Sequence, residues 1–214
     1  MSKIADLTYQ GIRERIISGE YPPGTHLKEE LVAHDTGASR TPVREALRRL
    51  NAEQLVEFVP NRGAHVTSWS LEDVEEIYTL RSILEGQAAF RAATRIMEDE
   101  IATLVECAER IDELLKYGRE RPTVRIFEAN HRFHNTILEA AHSERLSKIL
   151  SWLVEIPVTM QTFEKYSDRD IERSNHHHRE LIDAFRYRDP HWAQKIMETH
   201  LSAAQRLFAF KRKE

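Results

Sequence analysis

Ser39-Arg40-Thr41-Pro42-Val43-Arg44-Glu45-Ala46-Leu47-Arg48-Arg49-Leu50 reads as one helix with two unlike faces. Val43, Ala46, Leu47 and Leu50 follow the i, i+3, i+4, i+7 spacing of a buried stripe. Arg40, Arg44 and Arg48 follow i, i+4, i+8 and form a separate exposed ridge. Ser39 suits the N-cap, and Pro42 falls in the first turn, where backbone N–H groups have no intrahelical partner. The helix is expected to end near Asn51. Upstream, Tyr9, Ile12 and Ile16 give helical spacing to Leu7–Ser18, which Gly19 stops. Tyr21-Pro22-Pro23-Gly24 is a rigid turn, a short helix follows around Glu29–His34, and Thr36-Gly37-Ala38 turns the chain into Ser39. Downstream, Leu55–Val59 and Ala64–Thr67 are strand-like and are joined by Pro60-Asn61-Arg62-Gly63, a hairpin turn with a basic tip.

This order is the layout of a winged helix-turn-helix. A helix of this kind enters the major groove of DNA, where arginine makes bidentate bonds to guanine O6 and N7. Ser39 and Thr41 stand where free N–H groups point outward and suit phosphates. Arg62, with Gly63 behind it, suits the minor groove or a phosphate. An isolated arginine stripe is as often a merely solvated face, but here the helix order, the turn and the wing agree.

Across the 214 residues, Lys and Arg total 31 against 35 Asp and Glu, a net charge of −4. Contact with a polyanion must therefore come from a local patch rather than bulk charge. No apolar run approaches the ~18 residues of a membrane span. The opening MSKIADLTYQ lacks the apolar core of a signal peptide, so a cytosolic location is expected. Cys107, the only cysteine, excludes an internal disulfide and a multi-thiolate zinc site. Five of the seven glycines and four of the seven prolines lie within the first 63 residues. From Leu71 the chain reads as long helices, broken near Glu98, Arg121–Pro122, Ser143, Ser167–Asp168 and Asp189–Pro190. Ser70 is a good helix start, so the boundary is set near Ser68–Ser70, giving one domain over 1–69 and another over 70–214. The expected fold is mainly α, a winged helix-turn-helix followed by an all-helical antiparallel bundle.

The helical part places polar residues where apolar ones belong. Asn130 and His134 sit within the Phe127, Ile137, Leu138, Ala141 stripe. His178 shares a face with Leu181, Ile182 and Phe185, and His200 is central to Ala193, Ile196, Met197, Ala204 and Leu207. Arg81 and Glu85 lie in the Val74, Ile77, Tyr78, Leu84, Ala88 stripe. Buried polar groups are costly unless paired, so six on four inward stripes imply one shared polar site. Three imidazoles and an oxygen donor make a plausible set for zinc, nickel or another first-row divalent ion. Each alone also has a plain reading, a satisfied core histidine or an ordinary Arg81–Glu85 ion pair. His131, His142, His176 and His177 fall off or at the edge of the stripes and are expected at the surface, with a supporting role open to His177.

The stretch Pro22-Pro-Gly-Thr-His-Leu27, the Ser39–Leu50 string, Leu55-Val and Pro60-Asn-Arg-Gly63 closely resemble the DNA-binding domain of the GntR family of bacterial transcription regulators. The resemblance implies that Arg40 and Arg44 read the operator with help from the Arg62-Gly63 wing. Lys28 departs from the small capping residue the family often has there. Arg81-Ser-Ile-Leu-Glu85, Asn130-His-Arg-Phe-His134, and His178 through Asp189 with Met197–Leu201 resemble the FCD ligand-binding domain of the FadR-type branch. That second resemblance implies metal ligands at Asn130, His134, His178 and His200. The family commonly has Asp at position 130; an amide there leaves the ion's charge less compensated, so weaker metal binding and a stronger pull on an anionic ligand are expected. Glu85 could supply charge from behind the ligands, and a metal-free pocket is the alternative.

The reading that follows is a ligand-responsive bacterial regulator, a repressor, that binds a palindromic DNA operator as a homodimer. A small organic acid is its expected effector, with Arg81 and Glu85 in the effector pocket and Arg81 as the carboxylate's partner. Two alternatives stand beside it: a sensor in which the metal ion is itself the signal, and a metal-dependent enzyme carrying a DNA-binding appendage. Against the enzyme, no nucleophile or general-base pair is evident.

Overall fold

The computed structural model describes residues 3–68, 70–153 and 166–210. The chain divides after Ser70 into two compact units.

The first unit contains α1 (Lys3–Ile17), α2 (Glu29–Thr36), α3 (Arg40–Ala52), β1 (Val56–Val59) and β2 (Gly63–Val66). Helix α1 begins four residues before the expected Leu7, because Ala5 lies one turn ahead of Tyr9 on the same face and is fully buried. A small residue contributes little to a hydrophobic pattern, so the spacing of Tyr9, Ile12 and Ile16 does not reveal this first turn. Tyr9, Ile12 and Ile16 of α1 share one core with Val43, Ala46, Leu47 and Leu50 of α3, with Val32 of α2, and with Leu55, Val56, Ala64 and Val66 of the wing. Lys28 offers α2 no side-chain cap, yet the helix starts at Glu29 and runs past His34 to Thr36. Gly37 closes it in the left-handed conformation, φ 65°, which a glycine adopts without steric penalty. Strands β1 and β2 pair antiparallel, Val56 opposite Val66 and Val59 opposite Gly63. Asn61 in the turn between them has φ 60°, and Gly63, the first residue of β2, has φ 84°.

The second unit is helical: α4 (Leu71–Ala92), α5 (Glu98–Leu115), a 3₁₀ turn at Gly118–Glu120, α6 (Thr123–Ala140), α7 (Glu144–Leu153), α8 (Asp168–Arg186) and α9 (Pro190–Phe210). The breaks read from the sequence fall at these helix ends. Ser167 caps α8 reciprocally: its hydroxyl accepts from the Asp170 N–H at 3.3 Å, and the Asp170 carboxylate accepts from the Ser167 N–H at 3.0 Å. Pro190 opens α9 at a position where no amide hydrogen is needed. Helix α9 runs antiparallel to α4: the Gln205 amide donates to the Glu75 carbonyl at 3.0 Å, and further along Ser82 donates to the Glu198 carbonyl at 3.4 Å. Gly86 permits this approach, since a Cβ there would lie 3.1 Å from Glu198 Cγ. Helix α6 lies on the other flank of α4, where Arg91 donates to the Ala141 carbonyl at 3.1 Å. Helix α5 packs on α6 and α8. This order brings the inner faces of α4, α6, α8 and α9 to one place.

Candidate functional site

Arg81, Glu85, Asn130, His178 and His200 are all buried, and the His134 side chain is only 9% exposed. Arg81 Nε donates to Glu85 Oε1 at 2.7 Å across one turn of α4. The other oxygen, Glu85 Oε2, lies 2.6 Å from Nδ1 of His134 on α6. Burial alone would raise the Glu85 pKa. The Arg81 guanidinium and His134 outweigh it and hold the carboxyl at about 2. Glu85 is therefore an anion that fixes two partners, and with Nδ1 of His134 so engaged, Nε2 of that ring is the atom turned toward the other imidazoles. It stands 3.2 Å from His200 Nε2. Nitrogens bound to one ion at ~2.0–2.1 Å and at tetrahedral or octahedral angles sit ~2.8–3.4 Å apart.

His178 completes the group. One ligand atom from each of His134, His178 and His200 lies within 4.8 Å of the others. The His178 ring stacks on Phe133, centroids 4.1 Å apart, and its Nδ1 meets Asn175 Oδ1 at 3.3 Å. Asn175 is held in turn by donating to the Ala108 carbonyl at 2.9 Å and to Asp112 at 2.7 Å on α5. Asn175 was missed in the sequence, although its place one turn before His178, on the same face of α8, was available as a signal. Burial drives the pKa of both His178 and His200 well below the usual imidazole range, and the neighbouring histidines push the same way. Both rings are neutral at physiological pH and keep a lone pair for a ligand bond.

Three buried polar atoms of this group have no hydrogen-bond partner among the described residues: Asn130 Oδ1, His178 Nε2 and His200 Nδ1. Leaving buried polar atoms unpaired costs ~1–3 kcal/mol each, so these three atoms make the cluster a candidate site for an ion, a ligand or a water. A void of about 10 Å³, lined among others by Tyr78, Arg81, Asn130, His134, Tyr166 and His200, adjoins them. That is room for roughly one water. His177, expected near the surface, is half-buried; its ring centroid lies 5.9 Å from that of His200, and its Nδ1 also lacks a partner. It sits one residue off the inward stripe, close enough to the centre to be covered by its neighbours. His142 and His176 are exposed, and His131 is half-buried beside Phe127.

In the first unit, Ser39, Arg40, Thr41, Arg44 and Arg48 are exposed along α3, and Arg62 and Gly63 are exposed at the wing. The Ser39 side chain makes no capping bond although the residue occupies the N-cap. Arg44 Nε donates to Glu29 Oε1 at 2.6 Å, and Arg40 Nη2 donates to Glu30 Oε1 at 2.6 Å. No helix of the described chain is long and apolar enough to cross a membrane.

Comparison with known proteins assigns both units. Residues 4–66 match the bacterial regulatory proteins of the gntR family, and residues 76–203 match the FCD domain. The chain is 31% identical over 192 residues to a probable D-xylose utilization operon transcriptional repressor of Paenarthrobacter nicotinovorans, covering 88% of this chain and 81% of that protein. It is 30% identical over 173 residues to the gluconate operon transcriptional repressor of Bacillus subtilis, covering 77% and 69%. In fold it is similar to the crystal structure of a putative GntR transcriptional regulator from Rhodococcus sp. RHA1, TM-score 0.77 at 22% identity over 98% of this chain and 99% of that one. These relatives are named as regulators, not enzymes. With a matching DNA-binding unit followed by a matching FCD domain over more than half its length, the chain belongs to the GntR family of bacterial DNA-binding transcription regulators.

Proposed function

We propose that the chain is a ligand-responsive repressor in which residues 1–69 bind an inverted-repeat operator and residues 70–214 bind effector and metal and hold the homodimer. In this reading Asn130, His134, His178 and His200 hold a divalent ion, zinc or nickel, beside the pocket of a small carboxylate effector. The observation that carries it is the convergence of three neighbouring imidazoles with the unpaired Asn130 Oδ1, His178 Nε2 and His200 Nδ1. An ion would give Asn130 Oδ1 and His178 Nε2 the partner they lack, and Glu85, bonded to His134, supplies negative charge behind the ligands. Such an ion, when bound, offers a Lewis-acidic position to a carboxylate oxygen. Arg81 lines the adjoining void and is the side chain best shaped for the rest of that carboxylate. Because the void holds about one water, an organic acid enters only by displacing helices or side chains around it. A ligand that favours a different packing of the bundle is a ligand that shifts its equilibrium. Gluconate, for whose operon one relative is named, is a hydroxy acid of the class proposed.

A thermal-shift screen of organic acids, sugar acids and amino acids, with and without divalent metal, tests the reading. A ligand at 100 times its Kd adds ~2.7 kcal/mol of stability. Arg81→Ala is expected to abolish that gain and leave operator binding intact. A carboxylate that binds Arg81→Ala as well as wild type overturns the pocket. The small void also favours a second reading, in which the ion alone is the signal. Metal added without any organic acid would then switch operator binding in a mobility-shift assay.

A further inference from the structure

The two arginines at the start of α3 are held differently, and the difference bears on what each can do. Both pair with carboxylates in the first turn of α2, Arg44 with Glu29 and Arg40 with Glu30. Arg44 is gripped through Nε, the inner nitrogen. Its two terminal nitrogens have no partner among the described residues. Those are the atoms that make the end-on bidentate contact with guanine O6 and N7. Arg40 is gripped through Nη2, one of its terminal nitrogens. Its end-on edge is blocked unless the pair with Glu30 opens.

We infer that Glu29 is a positioning residue for base recognition, holding the Arg44 guanidinium by its inner edge so that the outer edge is presented to guanine. Glu30 instead competes with DNA phosphate for Arg40, which acts as a backbone contact. This rests on the reading of α3 as the DNA-recognition helix. A planar fork fixed at one edge loses less freedom on docking than a free side chain, and preorganisation of this kind adds selectivity without a new contact to the ligand. The Arg44 side chain is 60% exposed, so solvent competes for its outer edge and the grip at Nε is what limits its directions. A purely structural role for Glu29 would be to stabilise the start of α2, where acidic groups favour the helix dipole and Lys28 provides no side-chain cap. That role predicts a change in stability and none in base choice.

The test uses the full chain and duplexes that the wild-type protein selects from a randomised inverted-repeat pool. Each base pair of the half-site is then substituted in turn, and the discrimination of wild type, Arg44→Ala, Glu29→Ala, Glu29→Gln, Glu30→Gln and the Glu29→Ala, Arg44→Ala double variant is measured by fluorescence anisotropy. Glu14→Gln on α1 controls for net charge. The base pair at which Arg44→Ala loses discrimination is the one Arg44 reads. Glu29→Ala should lose roughly 2- to 5-fold of the discrimination at that pair alone, the worth of one exposed ion pair. Glu29→Gln, which keeps an oxygen to accept from Nε, should retain more of it. In the double variant Glu29→Ala should add nothing to Arg44→Ala, because the effect passes through that side chain. Glu30→Gln should tighten all duplexes alike, selected and unselected, beyond the change given by Glu14→Gln. Wild-type discrimination at the Arg44 pair in Glu29→Ala, or an equal loss at every base pair, overturns the inference. If Arg44→Ala itself loses discrimination nowhere, the reading of α3 falls and takes this inference with it.

Discussion

Glu85 is the residue on which the polar centre turns, because one carboxylate fixes both the Arg81 guanidinium and the His134 ring. Its folded pKa of about 2 lies below the ordinary carboxylate value near 4.3. A depressed folded value means that the stabilisation is whole above the unfolded pKa and is lost as pH falls toward the folded one. Glu85→Gln is expected to cost ~3–5 kcal/mol at pH 7, since it leaves Arg81 buried without its counter-charge. The gap to wild type should narrow as pH drops from about 4.3 toward 2, as wild-type Glu85 itself takes up a proton. Denaturant unfolding at stepped pH checks this, and a gap unchanged from pH 6 to pH 3 contradicts it. The sequence placed Arg81, Glu85, Asn130, His134, His178 and His200 on inward faces, because helical periodicity reports which way a residue points. It does not report which atoms meet across helices. Hence the bond from Glu85 to His134 and the support of His178 by Asn175 came only with the structure. The same limit explains His177, whose depth depends on what covers it rather than on its own helix's pattern.

At the scale of elements, α3 was legible because its apolar and basic stripes are separate and each is complete within one sequence stretch. Its partners on α2 were not, since nothing in a pattern pairs Glu29 with Arg44 across the intervening turn. Arg44→Ala is expected to cost ~1–3 kcal/mol of operator binding. Arg40→Ala, as a phosphate contact, should lower the salt slope by about one unit. Titrations at several salt concentrations separate the two, and wild-type operator binding by the double alanine variant would contradict a reading role for α3. The wing makes a further demand. Gly63 sits at φ 84°, and a Cβ there would lie 3.0 Å from His26 Nε2. Gly63→Ala combines left-handed strain with that contact, so a loss of ~1–2 kcal/mol of stability is expected. Operator affinity should weaken with it as the basic tip is displaced. Unchanged melting together with unchanged DNA binding would show that the turn tolerates a side chain.

For the whole molecule, two compact units correspond to two chemistries: an arginine-bearing helix with a wing, and a helical bundle with a buried histidine centre. Both could be read in the sequence because each repeats a local period over long stretches. The effector's identity could not, because helical periodicity does not report the shape of a cavity that several helices line together. In the function proposed above, this bundle holds a divalent ion on Asn130, His134, His178 and His200. The most direct measurement is elemental analysis of untagged protein after dialysis against metal and then against metal-free buffer. Wild type should carry about one equivalent per chain, the count for one site built by three helices. His134→Ala, His178→Ala and His200→Ala should each lose it. His142→Ala and His176→Ala, which change exposed rings, should keep it, and Asn130→Asp should bind more tightly by adding a negative charge. Equal metal content in all five histidine variants, or none in wild type and Asn130→Asp alike, would contradict the account.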